Sequence, residues 1–174
     1  LLNLNQADIK SVSKRLSECV TPSFNKNKPF FNEYNDKIII ISGGFKELIV
    51  PIVKNFGILS SNVFANDFVY GSYEQINGIN QENVMSNNGG KVKQAKLLNL
   101  QGIVHAIGDG YTDYEIKLDG PATHFFAFTE NIERKNICAL ADYTLTNFDD
   151  YIKILKWFEE LYLLNCKGLN NKFY

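Results

Sequence analysis

Three short stretches of this 174-residue sequence combine residue types that can hold a phosphate or a metal ion. Ile41-Ser42-Gly43-Gly44-Phe45 sets a hydroxyl and glycine N–H groups between an apolar run and a helical pattern. Unpaired N–H donors and the helix dipole attract anions there, although such turns also serve as plain connections. In Ile107-Gly108-Asp109-Gly110-Tyr111-Thr112-Asp113, glycines flank a carboxylate, so the backbone can turn tightly and leave Asp109 exposed. Asp113 follows one helical turn later. Paired carboxylates at that spacing suit a hard cation such as Mg2+; a turn and a helix cap are the structural alternative. Gly89-Gly90-Lys91 is a third glycine-led helix start, whose ammonium is either a point charge for a phosphate or a solvated lysine.

Such residues need strand exits to stand on, because ligands of parallel α/β sheets bind beyond the carboxyl ends of the strands. The sequence supplies them. Lys37 to Ser42 is an Ile-rich run that reads as a central strand buried on both faces, ended by Gly43-Gly44. Phe45 to Phe56 carries apolar residues at helical spacing and closes at Gly57. Asn62 to Tyr70 and Gln75 to Ile79 read as short strands around Gly71-Ser72, and Gly90 to Leu100 as a helix with Val92, Ala95, Leu97 and Leu98 inside. Ile103 to Ile107 is a second buried strand, with a helix from Thr112 to Leu118. Thr123 to Phe128 and Asp142 to Thr146 read as strands, Asn131 to Leu140 as a helix between them, and Phe148 to Leu164 as an amphipathic helix. Ahead of these, Ala7 to Val20 and Lys26 to Tyr34 look helical, broken at Thr21-Pro22-Ser23-Phe24. The alternation predicts an α/β fold with a doubly wound parallel sheet.

Composition narrows the function classes. The chain is 45% hydrophobic, and its 18 basic and 19 acidic residues leave a net charge of −1 without a basic block, so neither nucleic acid nor a membrane surface is an expected partner. No apolar run approaches the roughly 20 residues that span a bilayer, and a cytoplasmic location is expected. Cys19, Cys138 and Cys166 form no C-x-x-C pair and read as free thiols; His105 and His124 read as strand residues.

In order, the Ser-Gly-Gly turn, the Gly-Gly-Lys helix start and the Gly-Asp-Gly-x-x-Asp turn resemble motifs II, III and IV of the haloacid dehalogenase phosphatase superfamily. They look most like the phosphoserine phosphatases. The similarity extends from Val20 to Phe148 and includes Thr21-Pro22-Ser23-Phe24, Asn66-Asp67-Phe68 and Ala127 to Asn131. It is also similar to phosphatase segments that some bacteria join to a phosphoglycerate dehydrogenase, which implies serine biosynthesis. The resemblance implies phosphoryl transfer through an aspartyl-phosphate, from a small phosphoserine-like metabolite. Ser42 and the Gly43 amide would hold phosphate oxygens, Lys91 would stabilise the charge, Asp109 would bind Mg2+ and Asp113 would orient the metal site. Thr112 stands where the family often has Asn, so a phosphate contact there would come from a hydroxyl.

The family's motif I, an Asp-x-Asp whose first aspartate is the nucleophile, occurs nowhere in these residues. The resemblance places its strand between those of motifs II and IV, so its absence is expected to open the middle of the sheet. Together with a start at Leu1 rather than Met, this leads to the expectation that the sequence is a piece of a longer protein. Residues 1–35 are then expected to be a partial helical cap and 36–174 the core. Alone the chain is expected to be inactive, requiring fusion to, or complementation by, an N-terminal segment. The alternatives are a non-catalytic phosphate-binding or interaction domain, and a phosphotransferase of the same superfamily.

Overall fold

The computed structural model describes residues 4–170, with side chains as far as Glu160. Its parallel strands form two groups laid on one aromatic layer. The larger is β5 (His105–Gly108), β6 (His124–Phe128) and β7 (Tyr143–Leu145), all parallel. Alternation along these strands sends side chains to opposite faces. Ala106, Phe125 and Ala127 pack with Tyr114 and Ile116 of α6 (Tyr111–Leu118) and Ile137 of α7 (Lys135–Cys138). Ile107, Phe126 and Phe128 pack on the other face with Phe148, Tyr151 and Ile152 of α8 (Phe148–Asn170). Helices on both faces are what the alternating pattern predicts. Ile103, read as a strand residue, is 74% exposed, because β5 begins only at His105. The expected helix from Asn131 to Leu140 shrinks to α7.

The smaller group pairs β1 (Ile40–Phe45) in parallel with β2 (Val63–Asn66). Two expectations fail here. Gly43-Gly44 lies within the strand instead of ending it, and β1 is partly exposed instead of buried on both faces. Among the described residues β1 pairs with β2 alone, and β5 with β6 alone, so the parallel strands are divided between β1 and β5. A common layer joins the two groups: Ile40 of β1 and Ile107 of β5 pack on the same cluster of Phe31, Phe56, Phe126, Phe128 and Phe148. β3 (Phe68–Tyr70) and β4 (Ile76–Ile79) form a separate antiparallel hairpin.

Thr21-Pro22-Ser23-Phe24, expected to break a helix, begins one, since Pro22 fits the first turn of α2 (Pro22–Lys26) where no N–H partner is needed. Phe24, and Phe30 and Phe31 of α3 (Lys28–Glu33), belong to the central aromatic layer. α1 (Gln6–Ser17) opens with a reciprocal cap: Asn5 accepts from the Ala7 and Asp8 N–H groups, and Asp8 accepts from the Asn5 N–H at 2.9 Å. It packs on α4 (Lys46–Val53), to which the Ser13 hydroxyl donates at the Leu48 carbonyl, 3.1 Å away. In α5 (Gly90–Leu97), Ala95 is buried as expected, whereas Leu97 is 68% exposed. Cys19 and Cys138 are free; the Cys166 side chain lies outside the described residues. No described helix is long and apolar enough to cross a membrane.

His105 and His124 are strand residues in register, with ring centroids 5.4 Å apart. His105 Nδ1 lies 3.0 Å from the Tyr151 hydroxyl. Burial, reinforced by the neighbouring His124, holds His105 below the ordinary imidazole range, and burial pushes Tyr151 up to about 12. A histidine whose folded pKa is depressed takes up its proton more readily unfolded. Its contribution is therefore intact above the unfolded value of about 6.5 and is lost as pH falls from there toward the depressed folded value. The urea midpoint is expected to fall between about pH 7 and pH 5, and His105→Phe to flatten that fall.

Candidate active site

The turn from β5 into α6 is built around one carboxylate. Asp113 Oδ2 accepts the Gly110 N–H at 3.0 Å, capping α6. The side chain tucks so closely under the turn that a Cβ on Gly108 would lie 2.2 Å from its Cγ, so only glycine fits. The second oxygen, Oδ1, accepts from Lys91 Nζ at 2.6 Å, and both side chains are largely buried, 20% and 14% exposed. Residues 22 apart in sequence thus meet in a charge-assisted pair.

Lys91 reaches Asp113 because α5 starts abruptly. Gly89 takes a left-handed φ of +68°, and Gly90 presses so closely on the preceding turn that a Cβ would lie 2.8 Å from the Val84 carbonyl oxygen. α5 then packs against both α6 and β1.

On β1 the strand bulges through Ser42, Gly43 and Gly44. Ile41 stands opposite Phe64 and Phe45 opposite Asn66, so β1 advances four residues while β2 advances two. The Gly44 N–H donates to Ser42 Oγ at 3.1 Å, which leaves the Ser42 hydroxyl proton available. Thr112 is exposed on the first turn of α6.

Asp109 stands at the end of β5, 46% exposed, on a cleft of about 300 Å³ that Thr21, Phe24, Gly108, Phe128 and Asn131 also line. Arg134 is ion-paired to its Oδ2 and donates to its carbonyl at 2.8 Å. No sequence pattern singles out Arg134, which lies in a stretch that reads only as helix.

Of the residues expected to do chemistry, Lys91 and Asp113 touch directly, and Asp109 sits on the same turn. Ser42 and Gly43 lie on the strand against which α5 packs. Asp109 Oδ2 is held by Arg134, which leaves Oδ1 as the oxygen through which a Mg2+ ion could be taken, such an ion commonly using one or two carboxylates and completing its shell from water and substrate phosphate. Both oxygens of Asp113 already have partners. Among the described residues, no three His, Cys, Asp or Glu side chains gather as a closed metal site.

No family model matches the chain. It is 30% identical over 162 residues to the phosphoserine phosphatase of Bos taurus, an alignment that covers 89% of this chain and 71% of that protein. The chain belongs to the haloacid dehalogenase phosphatases, in the phosphoserine phosphatase family. It is 32% identical over 124 residues to the chloroplastic phosphoserine phosphatase of Arabidopsis thaliana, covering 70% of this chain and 42% of the relative. The alignment with the Drosophila melanogaster phosphoserine phosphatase covers 43% of that protein, so the chain spans about two fifths of these two relatives. Among solved structures it is similar to a phosphoserine phosphohydrolase-like protein of Francisella tularensis, with a TM-score of 0.71 at 29% identity, covering 88% of this chain and 71% of that one. Asp109 faces the cleft, whereas Lys91 and Asp113, paired at the same β5–α6 turn, do not line it.

Proposed function

We propose that these residues form the phosphate- and metal-holding side of a Mg2+-dependent phosphomonoesterase acting on O-phosphoserine, with serine biosynthesis as its setting and the cytoplasm as its location. The observation that carries this reading is the Lys91–Asp113 contact, which brings the Gly-Gly-Lys helix start onto the Gly-Asp-Gly turn. Ser42 offers its hydroxyl proton, and Gly43 its amide, to phosphate oxygens. Lys91, held by Asp113, stabilises negative charge as it spreads over the transferring group. Thr112 adds a hydroxyl at the mouth of the site. Mg2+ at Asp109 would supply Lewis-acid neutralisation of a phosphate oxygen. Once Asp109 is engaged by a cation, Arg134 is a second positive group beside the substrate. Residues 1–35 stand on the cap side of this reading and 36–174 form the core, with α2 and α3 rooted in the core's aromatic layer.

Hydrolysis also needs a nucleophile, and the 174 residues contain no Asp-x-Asp. In this reading the aspartate comes from outside them, by fusion or complementation, and the chain alone does not turn over. The same observation favours a second reading, a phosphate-binding domain without hydrolysis. Phosphate release from O-phosphoserine in Mg2+ tests between them, measured on these residues alone and joined to a strand that ends in Asp-x-Asp.

A further inference from the structure

The bulge in β1 is pinned from outside the strand by Asn66. This residue ends β2, is only 9% exposed, and donates from Nδ2 to the Gly43 carbonyl at 2.9 Å. Its Oδ1 is buried with no hydrogen-bond partner in the structure. An unpaired buried acceptor is costly. Rotating the amide would place Oδ1 against the Gly43 carbonyl oxygen, so the Gly43 bond determines how the amide lies. The Gly43 carbonyl and the Gly44 N–H belong to the same rigid peptide unit. Asn66 holds one end of it and Ser42 Oγ the other, at 3.1 Å.

We infer that Asn66 is a positioning residue for phosphate binding, acting through the Gly43–Gly44 peptide on the Ser42 hydroxyl. Fixing the carbonyl fixes the direction of the Gly44 N–H. That N–H occupies a lone pair of Ser42 Oγ and turns the hydroxyl proton outward. The inference rests on the reading that Ser42 and Gly43 hold phosphate; Asn66 itself does not touch the ligand.

The test titrates the 174-residue chain with inorganic phosphate in Mg2+, following the Ser42, Gly43 and Gly44 amides by 15N NMR, with the urea midpoint measured alongside. Asn66→Leu, which deletes the donor, is expected to weaken phosphate binding about tenfold, the worth of one well-placed hydrogen bond. Asn66→Asp, which sets a carboxylate oxygen against the Gly43 carbonyl, is expected to weaken it further. Asn83→Leu is the control: Asn83 Nδ2 donates to the Ala65 carbonyl and to Asp67, and makes no hydrogen bond to the Gly43–Gly44 peptide. It is expected to lower the urea midpoint and leave phosphate affinity unchanged. Parent-like affinity in both Asn66 variants, or an equal loss in Asn83→Leu, overturns the positioning role while the phosphate site stands. A parent chain that shows no phosphate shifts overturns the phosphate reading and this inference with it.

Discussion

Joined to a β-strand that ends in Asp-x-Asp, this chain is expected to release phosphate from O-phosphoserine in Mg2+, whereas the 174 residues alone release none above background. The expected gap is on the order of 10⁶-fold, the scale on which removing a nucleophile acts in a covalent mechanism. Phosphate binding and charge stabilisation have candidates here, with anion donors at Ser42 and Gly43, a charge at Lys91 and a metal carboxylate at Asp109. None of these can attack phosphorus in place of an aspartate. The nucleophile and the acid–base group that protonates the departing seryl oxygen both belong to the Asp-x-Asp that must be supplied. Among the described residues β1 pairs only with β2 and β5 only with β6, and Ile40 and Ile107 pack on the same aromatic cluster, so we propose that the added parallel strand lies beside these two edges. Fusion should therefore raise the thermal midpoint as well as activity. An extended chain that folds and stays inactive favours the phosphate-binding domain without hydrolysis.

In that extended chain, Lys91→Ala is expected to lower kcat by about 10²–10³-fold, the range for removing one pre-positioned charge or donor from a transition state. Two effects combine. The transferring phosphoryl group loses a positive neighbour, and Asp113 loses the ammonium at 2.6 Å and keeps only the Gly110 N–H. Leaving a largely buried carboxylate without its cation is costly by itself, so the β5–α6 turn should also become less ordered. Lys91→Arg is not expected to restore the rate, because a planar guanidinium cannot occupy the space of a compact ammonium held this closely. Steady-state kinetics with O-phosphoserine, paired with urea unfolding of each variant, separates the chemical loss from the structural one. A Lys91→Ala enzyme with parent kcat removes the role assigned to Lys91.

Much of the core was legible because local chemistry and tertiary packing agreed. Ile103 to Ile107 and Thr123 to Phe128 are too short and too apolar for surface helices, and Gly108-Asp109-Gly110 marks where the chain turns after the first of them. The Gly-Asp-Gly turn was legible for a specific reason: Gly108 must be glycine for Asp113 to tuck beneath it. Other features depend on partners far away in sequence. Gly43-Gly44 reads as a strand end, yet Asn66 and the register of β2 keep it within the sheet as a bulge. Pro22 reads as a breaker until the aromatic layer shows Phe24 packed beside Phe31 and Phe148. Leu97 has the spacing of an inner residue, but α5 ends there and the side chain points past the core. Arg134 was invisible because its importance comes entirely from Asp109, 25 residues earlier.

If the β1 bulge, Lys91 and the Asp109 turn form one site, paramagnetic broadening by Mn2+ as a stand-in for Mg2+ reveals it most directly. Mn2+ alone should broaden the amide resonances of Gly108 to Asp113. Adding inorganic phosphate should extend the broadening to Ser42, Gly43, Gly44 and Lys91, with Asp109→Asn abolishing both. Broadening confined to other acidic residues, such as Asp149 and Asp150 at the start of α8, or a β1 bulge untouched when phosphate is present, would contradict the account.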